Sequence, residues 1–546
     1  MSKAQRALPQ AGLAGLHENW REDLTAGFLV FLIALPLCIG IAIASGFPPM
    51  SGIITAVIGG LVVSRFSGSY VTINGPAAGL IVVILTAVQS LGQGDSMAGF
   101  RYTLAAIVVA SAFQILMGFL KAGKLNAYFP ASVVHGMLAA IGVIIMTKQI
   151  HVMLGVKPQS QEIIDTLLEI PHSIATMNPE IGTIGVAGLL ILIVWSKITN
   201  PLIKKIPGPL VVVIVGMLLG RYFGLNAEHT YTVGGTLAAF LPNSEYSVSP
   251  KYLVTVSEDV LSVFHAPDFG KFWTVEFLAA VVSICLVGSL ETLLSATAVD
   301  KLDPYKRESN LNRDLMAVGI GNLIAGAIGG LPMIAEIVRS SANVSNGAKT
   351  SWANFFHGAF VALFVLFFPK LIHQIPLASL AALLVFTGFR LASPKEFAKT
   401  MQIGKEQLFI FVSTIIAVLA TDLLVGVLIG IAIKIVIHLI RGVPLSNLVR
   451  INFNIAETEP EIYLVYMEGS AIFANFIGLK SELSDLPLGK TIVFDVRDAS
   501  YIDHTVMEFI EQFQLDYIDR GGKCTVKGLG NLVGYSEHPL AARRRG

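Results

Sequence analysis

The feature that most limits this chain is a string of long apolar stretches. Residues 24–45 run for 22 positions without an Asp, Glu, Lys or Arg. About 20 such residues cross a hydrocarbon core roughly 30 Å thick as a helix. In lipid only helices and closed barrels satisfy their own backbone. Similar stretches read as 51–66, 102–120, 132–148, 181–195 and 208–222. After a polar segment at 223–271 they resume at 272–299, 315–328, 355–368, 376–391, 408–421 and 423–439. Charged residues are 14% of the chain, against about 25% in soluble domains. The fold class is therefore a polytopic α-helical membrane protein. The net charge of +1 says nothing about nucleic acid, and no nucleic acid partner is expected. Cys38, Cys285 and Cys524 are too scattered for a disulfide or zinc framework. The first twenty residues hold no apolar core of a signal peptide.

Two stretches break the pattern. Gly329 to Lys349 carries Glu336 and Arg339 inside an apolar chain, bounded by Gly330-Leu331-Pro332 and Asn346-Gly347. As a helix its roughly 13 residues would reach only about 20 Å. Its counterpart, Gly68 to Pro76, puts Tyr70 to Ile73 in extended form and uses Pro76 to open a half-helix over Ala77 to Val88. Short interrupted segments at matching places in two halves point to a transporter binding site. In each half the broken element is the third of seven. Seven is odd, so the halves run in inverted topology, giving fourteen transmembrane segments. Lys and Arg concentrate in loops on one side, among them Arg65, Lys121, Lys301, Arg313 and Lys349, against Arg101, Lys148 and Lys271 on the other. This bias predicts both termini in the cytoplasm.

The division expected is a cytoplasmic segment at 1–23, a transporter domain at 24–442 and a cytoplasmic α/β domain at 443–546. In the last, 462–466, 491–496 and 523–526 read as strands and 506–518 as a helix. Arg543-Arg544-Arg545 reads as a disordered tail.

The first span carries Ala34-Leu35-Pro36 and Gly46-Phe47-Pro48-Pro49. The third carries Asn74-Gly75-Pro76-Ala77-Ala78-Gly79, and the eighth Gly288-Ser289-Leu290-Glu291-Thr292-Leu293-Leu294-Ser295-Ala296. Glu308-Ser309-Asn310 and Gly321-Asn322 follow, then Arg339-Ser340-Ser341-Ala342-Asn343 and Gly347. In this order they resemble the SulP family of anion transporters, relatives of solute carrier 26, and 443–546 resembles the STAS domain those proteins carry. The resemblance implies core and gate domains that move against each other, and a homodimer. It also implies a plasma or inner membrane location. Three places depart from the family pattern. Ile334-Ala335 stands where many bacterial members have Thr-Gly, and Leu37 where many animal members have Gln. Asp503-His504-Thr505-Val506 stands for Asp-Ser-Ser-Gly, which makes Thr505 a regulatory candidate and a cytoplasmic partner of the STAS domain conceivable.

Helix N-termini expose unpaired N–H groups and about half a positive charge, so two that face each other form an anion cradle. The backbone N–H groups of Ala77, Ala78 and Gly79, and of Ile334, Ala335 and Glu336, are the substrate contacts expected. Arg339 lies one turn further on, at i and i+3 from Glu336, and a buried arginine in a membrane is functional or paired. The resemblance puts Glu291 near the site. Glu291 and Glu336 are the coupling candidates, and Na+ (near Glu291) or H+ is the coupling ion to consider. No catalytic residue, metal site or cofactor is expected, and no enzyme motif occurs. The expected activity is secondary transport of a small inorganic anion, bicarbonate or sulfate first, by cation-coupled alternating access. An uncoupled anion channel, a chloride or dicarboxylate exchanger and a nucleobase carrier are the competing readings. Besides the anion, membrane lipid is the partner.

Overall fold

The computed structural model describes every residue except 1–7, 125–128, 161, 201–202, 204–205, 233–244, 256–263 and 485. The start of the leader 1–23 and parts of the polar segment 223–271 thus lie outside the described residues. Among the described residues, eight helical stretches are long and apolar enough to cross a membrane, from Gly12–Ala44 to Leu423–Ile440, and shorter apolar helices occupy Ala78–Gly92, Gly208–Tyr222 and Trp352–Phe367. The polytopic helical class is as expected.

The order begins with α1 (Gly12–Ala44), α2 (Pro49–Ile58) and a strand β1 (Asn74–Pro76). Then come α3 (Ile81–Gly92), α4 (Ser96–Phe119), α5 (Ala131–Met153), α6 (Pro179–Lys197) and α7 (Gly208–Tyr222). After a two-stranded ribbon, His229–Thr232 with Glu245–Val248, the chain continues as α8 (Val275–Leu302) and α9 (Leu311–Ile328). A second short strand, β2 (Met333–Ala335), leads into α10 (Ile337–Ser345). The helices α11 (Trp352–Phe367), α12 (Leu377–Leu391), α13 (Lys405–Ala420) and α14 (Leu423–Ile440) follow.

Local chemistry sets the helix starts. Asp95, Asn178, Thr274, Asn310 and Asp422 each accept an N–H from the first turn of the helix that follows, as short polar side chains do at N-caps. Small residues then let helices touch. On α9, a Cβ added to Gly319 would lie 2.7 Å from Cγ1 of Ile115 on α4, an approach that larger side chains forbid. The leader joins α1 without a break except at Asn19, whose backbone leaves helical geometry (φ −125°, ψ 15°).

The chain divides into two compact units. One comprises Met1–Gly123 with Ile141–Leu391, and the other Lys124–Ala140 with Ala392–Gly546. The second contains a mixed six-stranded sheet built from β3 (Asn452–Glu459), β4 (Ile462–Ala471), β5 (Thr491–Ile502), β6 (Lys523–Lys527), β7 (Leu532–Gly534) and β8 (Arg543–Arg545). Strands β4, β5 and β6 run parallel. Helix α15 (Ile477–Ser484) lies in the β4–β5 connection and α16 (His504–Asp519) in the β5–β6 connection. Val465, Met467, Phe494, Val496, Val506 and Ile510 form the centre of its core. The terminal arginines are not a loose tail. Arg543 to Arg545 form β8, paired with β7 and with Ile502 and Tyr501 of β5. The backbone finds partners there while the side chains of Arg544 and Arg545 stay exposed and that of Arg543 is half-buried, a combination that residue type alone does not reveal.

Candidate functional site

The two broken elements meet as a pair of short antiparallel strands in the first unit. Asn74 lies opposite Ala335, Gly75 opposite Ile334 and Pro76 opposite Met333. Just beyond the pair, Glu336 N–H donates to the Ile73 carbonyl at 2.8 Å. A strand pair buried among helices leaves its ends without backbone partners, and side chains supply them. Asn322 accepts from Met333 N–H at 2.6 Å and donates to the Met333 carbonyl at 3.1 Å. Ser340 accepts from Ile73 N–H at 2.8 Å, Asn343 donates to the Val71 carbonyl at 2.9 Å, and Asn354 donates to Asn74 Oδ1 at 3.0 Å. These supporting residues escaped the sequence reading, although Ser340, Asn343 and Asn322 lie in the motifs that carried the resemblance. The signal was there as polar amides in apolar spans, but which main-chain group each one holds follows only from the crossing.

Each strand runs into a short helix. After β1, Ala77 is extended (φ −115°, ψ 144°), Ala78–Leu80 form one tight turn, and α3 follows. Pro76 therefore does not open the helix, as its residue type suggested. It closes the strand, and its carbonyl becomes an acceptor. No side chain caps this turn, so the expected donors Ala77, Ala78 and Gly79 sit at an uncapped N-terminus. The helix after β2 is nine residues, about 14 Å, shorter than the 13 expected because Met333–Ala335 are strand.

The second N-terminus departs from the expected cradle. The Ile334 N–H faces β1 and the Glu336 N–H is taken by Ile73, so these two are not open donors, while the Ala335 N–H between them faces away from β1, as the alternation of an antiparallel ladder requires. At the start of α10 the Glu336 carboxylate accepts the N–H groups of Val338 and Arg339 through Oε2, both at 3.1 Å. Glu336 is thus the N-cap of the helix.

Arg339 is fully buried. Its Nη2 donates to the Pro76 carbonyl at 3.0 Å, while Nε and Nη1 have no partner. A Cβ on Gly75 would stand 2.5 Å from Nη1, so the guanidinium needs a glycine at that place in β1. Among the described residues no carboxylate comes within 4.0 Å of it. The pairing of Arg339 with Glu336 or Glu291 that the sequence left open is not formed. Glu336 spends Oε2 on the helix N-terminus instead.

Glu291, on α8, is 5% exposed, and its Oε1 is without a hydrogen-bond partner. The carboxylate rests on the first short helix: a Cβ on Gly79 would fall 1.8 Å from Oε1. Only glycine fits there. Glu291 and Glu336 are near enough for their charges to act on each other. His357 on α11 is also fully buried with both ring nitrogens unpartnered, and sequence reading passed over it. The site therefore holds one arginine, two carboxylates, a histidine and one open helix N-terminus. Such a set can bind a small anion and exchange a proton. Among the described residues no group of three or more His, Cys, Asp or Glu is suited to a metal ion.

Thr505 lies elsewhere, in the second unit, half-buried at the second position of α16. Asp503 caps that helix through Val506 N–H at 2.8 Å, accepts Phe473 N–H at 2.9 Å and lies 3.5 Å from Nε2 of His438. Burial pushes the Asp503 carboxyl up, but the His438 contact, the charge of Lys434 and the Val506 N–H outweigh it and hold the group at about 2.

Comparison with known proteins gives a consistent result. The model of the sulfate permease family matches residues 20–414. The putative sulfate transporter YvdB of Bacillus subtilis is 28% identical over 523 residues, covering 94% of this chain and 92% of its own. The bicarbonate transporter BicA of Picosynechococcus is 24% identical, covering 93% and 89%. Among solved structures, the transmembrane domain of a cyanobacterial BicA aligns with a TM-score of 0.64 at 23% identity, covering 75% of this chain and 97% of that one. SLC26A9 aligns at 0.66 and 14% identity, covering 94% and 84%.

Proposed function

This chain belongs to the sulfate permease family, and we propose that it is a secondary transporter that moves bicarbonate or sulfate by alternating access. Relatives along nearly its whole length carry the names of sulfate and bicarbonate transporters. The observation that carries the reading is Arg339, a wholly buried guanidinium with two unpartnered nitrogens, Nε and Nη1, at the crossing of the two broken elements. Burying an unpaired cation is costly, and an arriving anion removes that cost. The uncapped turn at Ala78 and Gly79 adds backbone donors and dipole charge. In this reading fourteen segments form two inverted repeats, both termini are cytoplasmic, and the protein sits in the plasma (inner) membrane as a homodimer. Glu291 and Glu336 are the coupling residues, with Na+ or H+ as the coupling ion. The sheet of residues 452–545 is a STAS domain, and Thr505 is its regulatory position.

Uptake of radiolabelled bicarbonate and sulfate into proteoliposomes, with sodium and proton gradients imposed separately, tests this. Gradient-driven, saturable accumulation of either anion supports it. Current far above carrier turnover indicates a channel instead.

A further inference from the structure

Glu is not among the usual N-cap residues; Ser, Thr, Asp and Asn satisfy the same N–H groups with shorter side chains. At Glu336 this chain places a charged carboxylate on the N–H groups of Val338 and Arg339, the position that an anion bound to α10 would take. The helix is long enough for its dipole to matter, with nine residues. Two buried groups beside it lack partners, Arg339 Nε and Nη1 and Glu291 Oε1, so the surroundings are built for something more than a cap.

The charges sharpen this point. Facing Glu336 are Arg339 on its own helix, Glu291 from α8 and Cys38 from α1, with His357 from α11 beside Arg339. One guanidinium thus faces two carboxylates, and an anion that enters without a proton adds negative charge that nothing beside it offsets. A further buried negative charge there is strongly disfavoured. Glu336 is half-buried, whereas Glu291 is 5% and Arg339 0% exposed. Of the two carboxylates, Glu336 is the one within reach of water.

We propose that Glu336 is a tethered anion that occupies the substrate's place in the empty site and gives it up only on taking a proton. The medium supplies the proton, which adds to a carboxylate oxygen. The neutral acid releases the N–H groups of Val338 and Arg339, and the substrate anion accepts them in its stead. For a monovalent anion the charge of the site is the same before and after. Proton and anion then travel together, and release of the proton on the far side restores the cap and expels the anion. This inference rests on the reading of the site as an anion site given above.

The test uses the full-length protein. Anion affinity is measured by thermal stabilisation in detergent, with sulfate between about pH 5 and about pH 8 and with bicarbonate at the alkaline end alone, and transport by tracer uptake over the same ranges. The wild type should bind more tightly as pH falls, by up to tenfold per unit. Glu336→Gln, close in shape and uncharged, should bind about tenfold more tightly than wild type at the alkaline end and lose the acid dependence. Glu336→Asp keeps the charge with a shorter reach and should retain that dependence. If wild type and Glu336→Gln bind with the same affinity and pH profile while transport persists, the tethered-anion idea is wrong and the anion site stands. If Glu336→Gln abolishes binding while Glu336→Asp keeps it, Glu336 is a ligand and not a competitor. If the wild type neither binds nor carries either anion at any pH, the anion site itself is wrong and the inference falls with it.

Discussion

The Nη2 of Arg339 donates to the main-chain oxygen of Pro76 at 3.0 Å, which ties a side chain of one short helix to the backbone that leads into the other. The contact makes the two broken elements one structural object. It also explains why a proline suits the end of β1. Position 76 needs no N–H toward β2, and its carbonyl is turned to the guanidinium. An arginine held by one neutral acceptor keeps most of its hydrogen-bonding capacity for a ligand.

Gly79→Ala should disable transport with little loss of fold. The new methyl would meet the Glu291 carboxylate at 1.8 Å, and the carboxylate must move away from the N-terminus of the first short helix. Tracer uptake should fall on the order of tenfold or more. Combining it with Glu291→Ala should recover part of the loss, because the clash is then gone. A Gly79→Ala protein with normal uptake would show that the two groups do not meet during the cycle.

Glu291→Gln tests coupling. If Glu291 takes up the coupling cation, the variant should lose its dependence on the imposed sodium or proton gradient while still exchanging anion across the membrane. Unchanged gradient dependence in proteoliposomes assigns the coupling elsewhere, with Glu336 the next choice.

Asn322→Ala should lower stability more than most polar-to-alanine changes. The side chain serves both the N–H and the carbonyl of Met333, and its loss leaves two buried backbone groups unsatisfied at about 1–3 kcal/mol each. Thermal unfolding of the purified protein should shift down by several degrees, and uptake should weaken with it, since β2 positions Glu336. A change of under a degree would mean that water replaces the amide fully.

The second unit has its own pH signature. Asp503 is held at about 2 against an ordinary value of 3.8. A depressed carboxyl contributes stability that is complete above its unfolded pKa and is lost as pH falls through the folded one. The contribution is about 2 kcal/mol and disappears between roughly pH 4 and pH 2. Asp503→Asn removes it at neutral pH and leaves the buried Lys434 facing a neutral group. Its unfolding temperature should drop at pH 7 and converge toward wild type near pH 2. Parallel curves over the whole range would rule out the assignment.

Much of this was legible from residue order. Apolar stretches marked the spans. The strand and helix periods at 462–466, 491–496, 506–518 and 523–526 each fall within an element of the tail domain. The two broken elements were found by their length and charge. What they do to each other was not legible, because a three-residue strand pair between segments some 260 positions apart leaves no local pattern. For the same reason the open donor was misassigned at Glu336, where sequence shows an acidic residue at a helix start but not that its Oε2 turns back onto the N–H groups of Val338 and Arg339. Arg543 to Arg545 misled through composition, since three arginines read as solvent-facing and unstructured even where the backbone is a strand.

The central claim is that a small anion binds where Arg339 reaches across to β1. The most direct measurement compares initial uptake of radiolabelled bicarbonate and sulfate by wild-type and Arg339→Ala protein in proteoliposomes, after both elute as single species and unfold cooperatively. The account predicts saturable uptake of at least one anion by the wild type and a loss on the order of 100-fold in the variant. Wild-type uptake by a well-folded Arg339→Ala protein would contradict it.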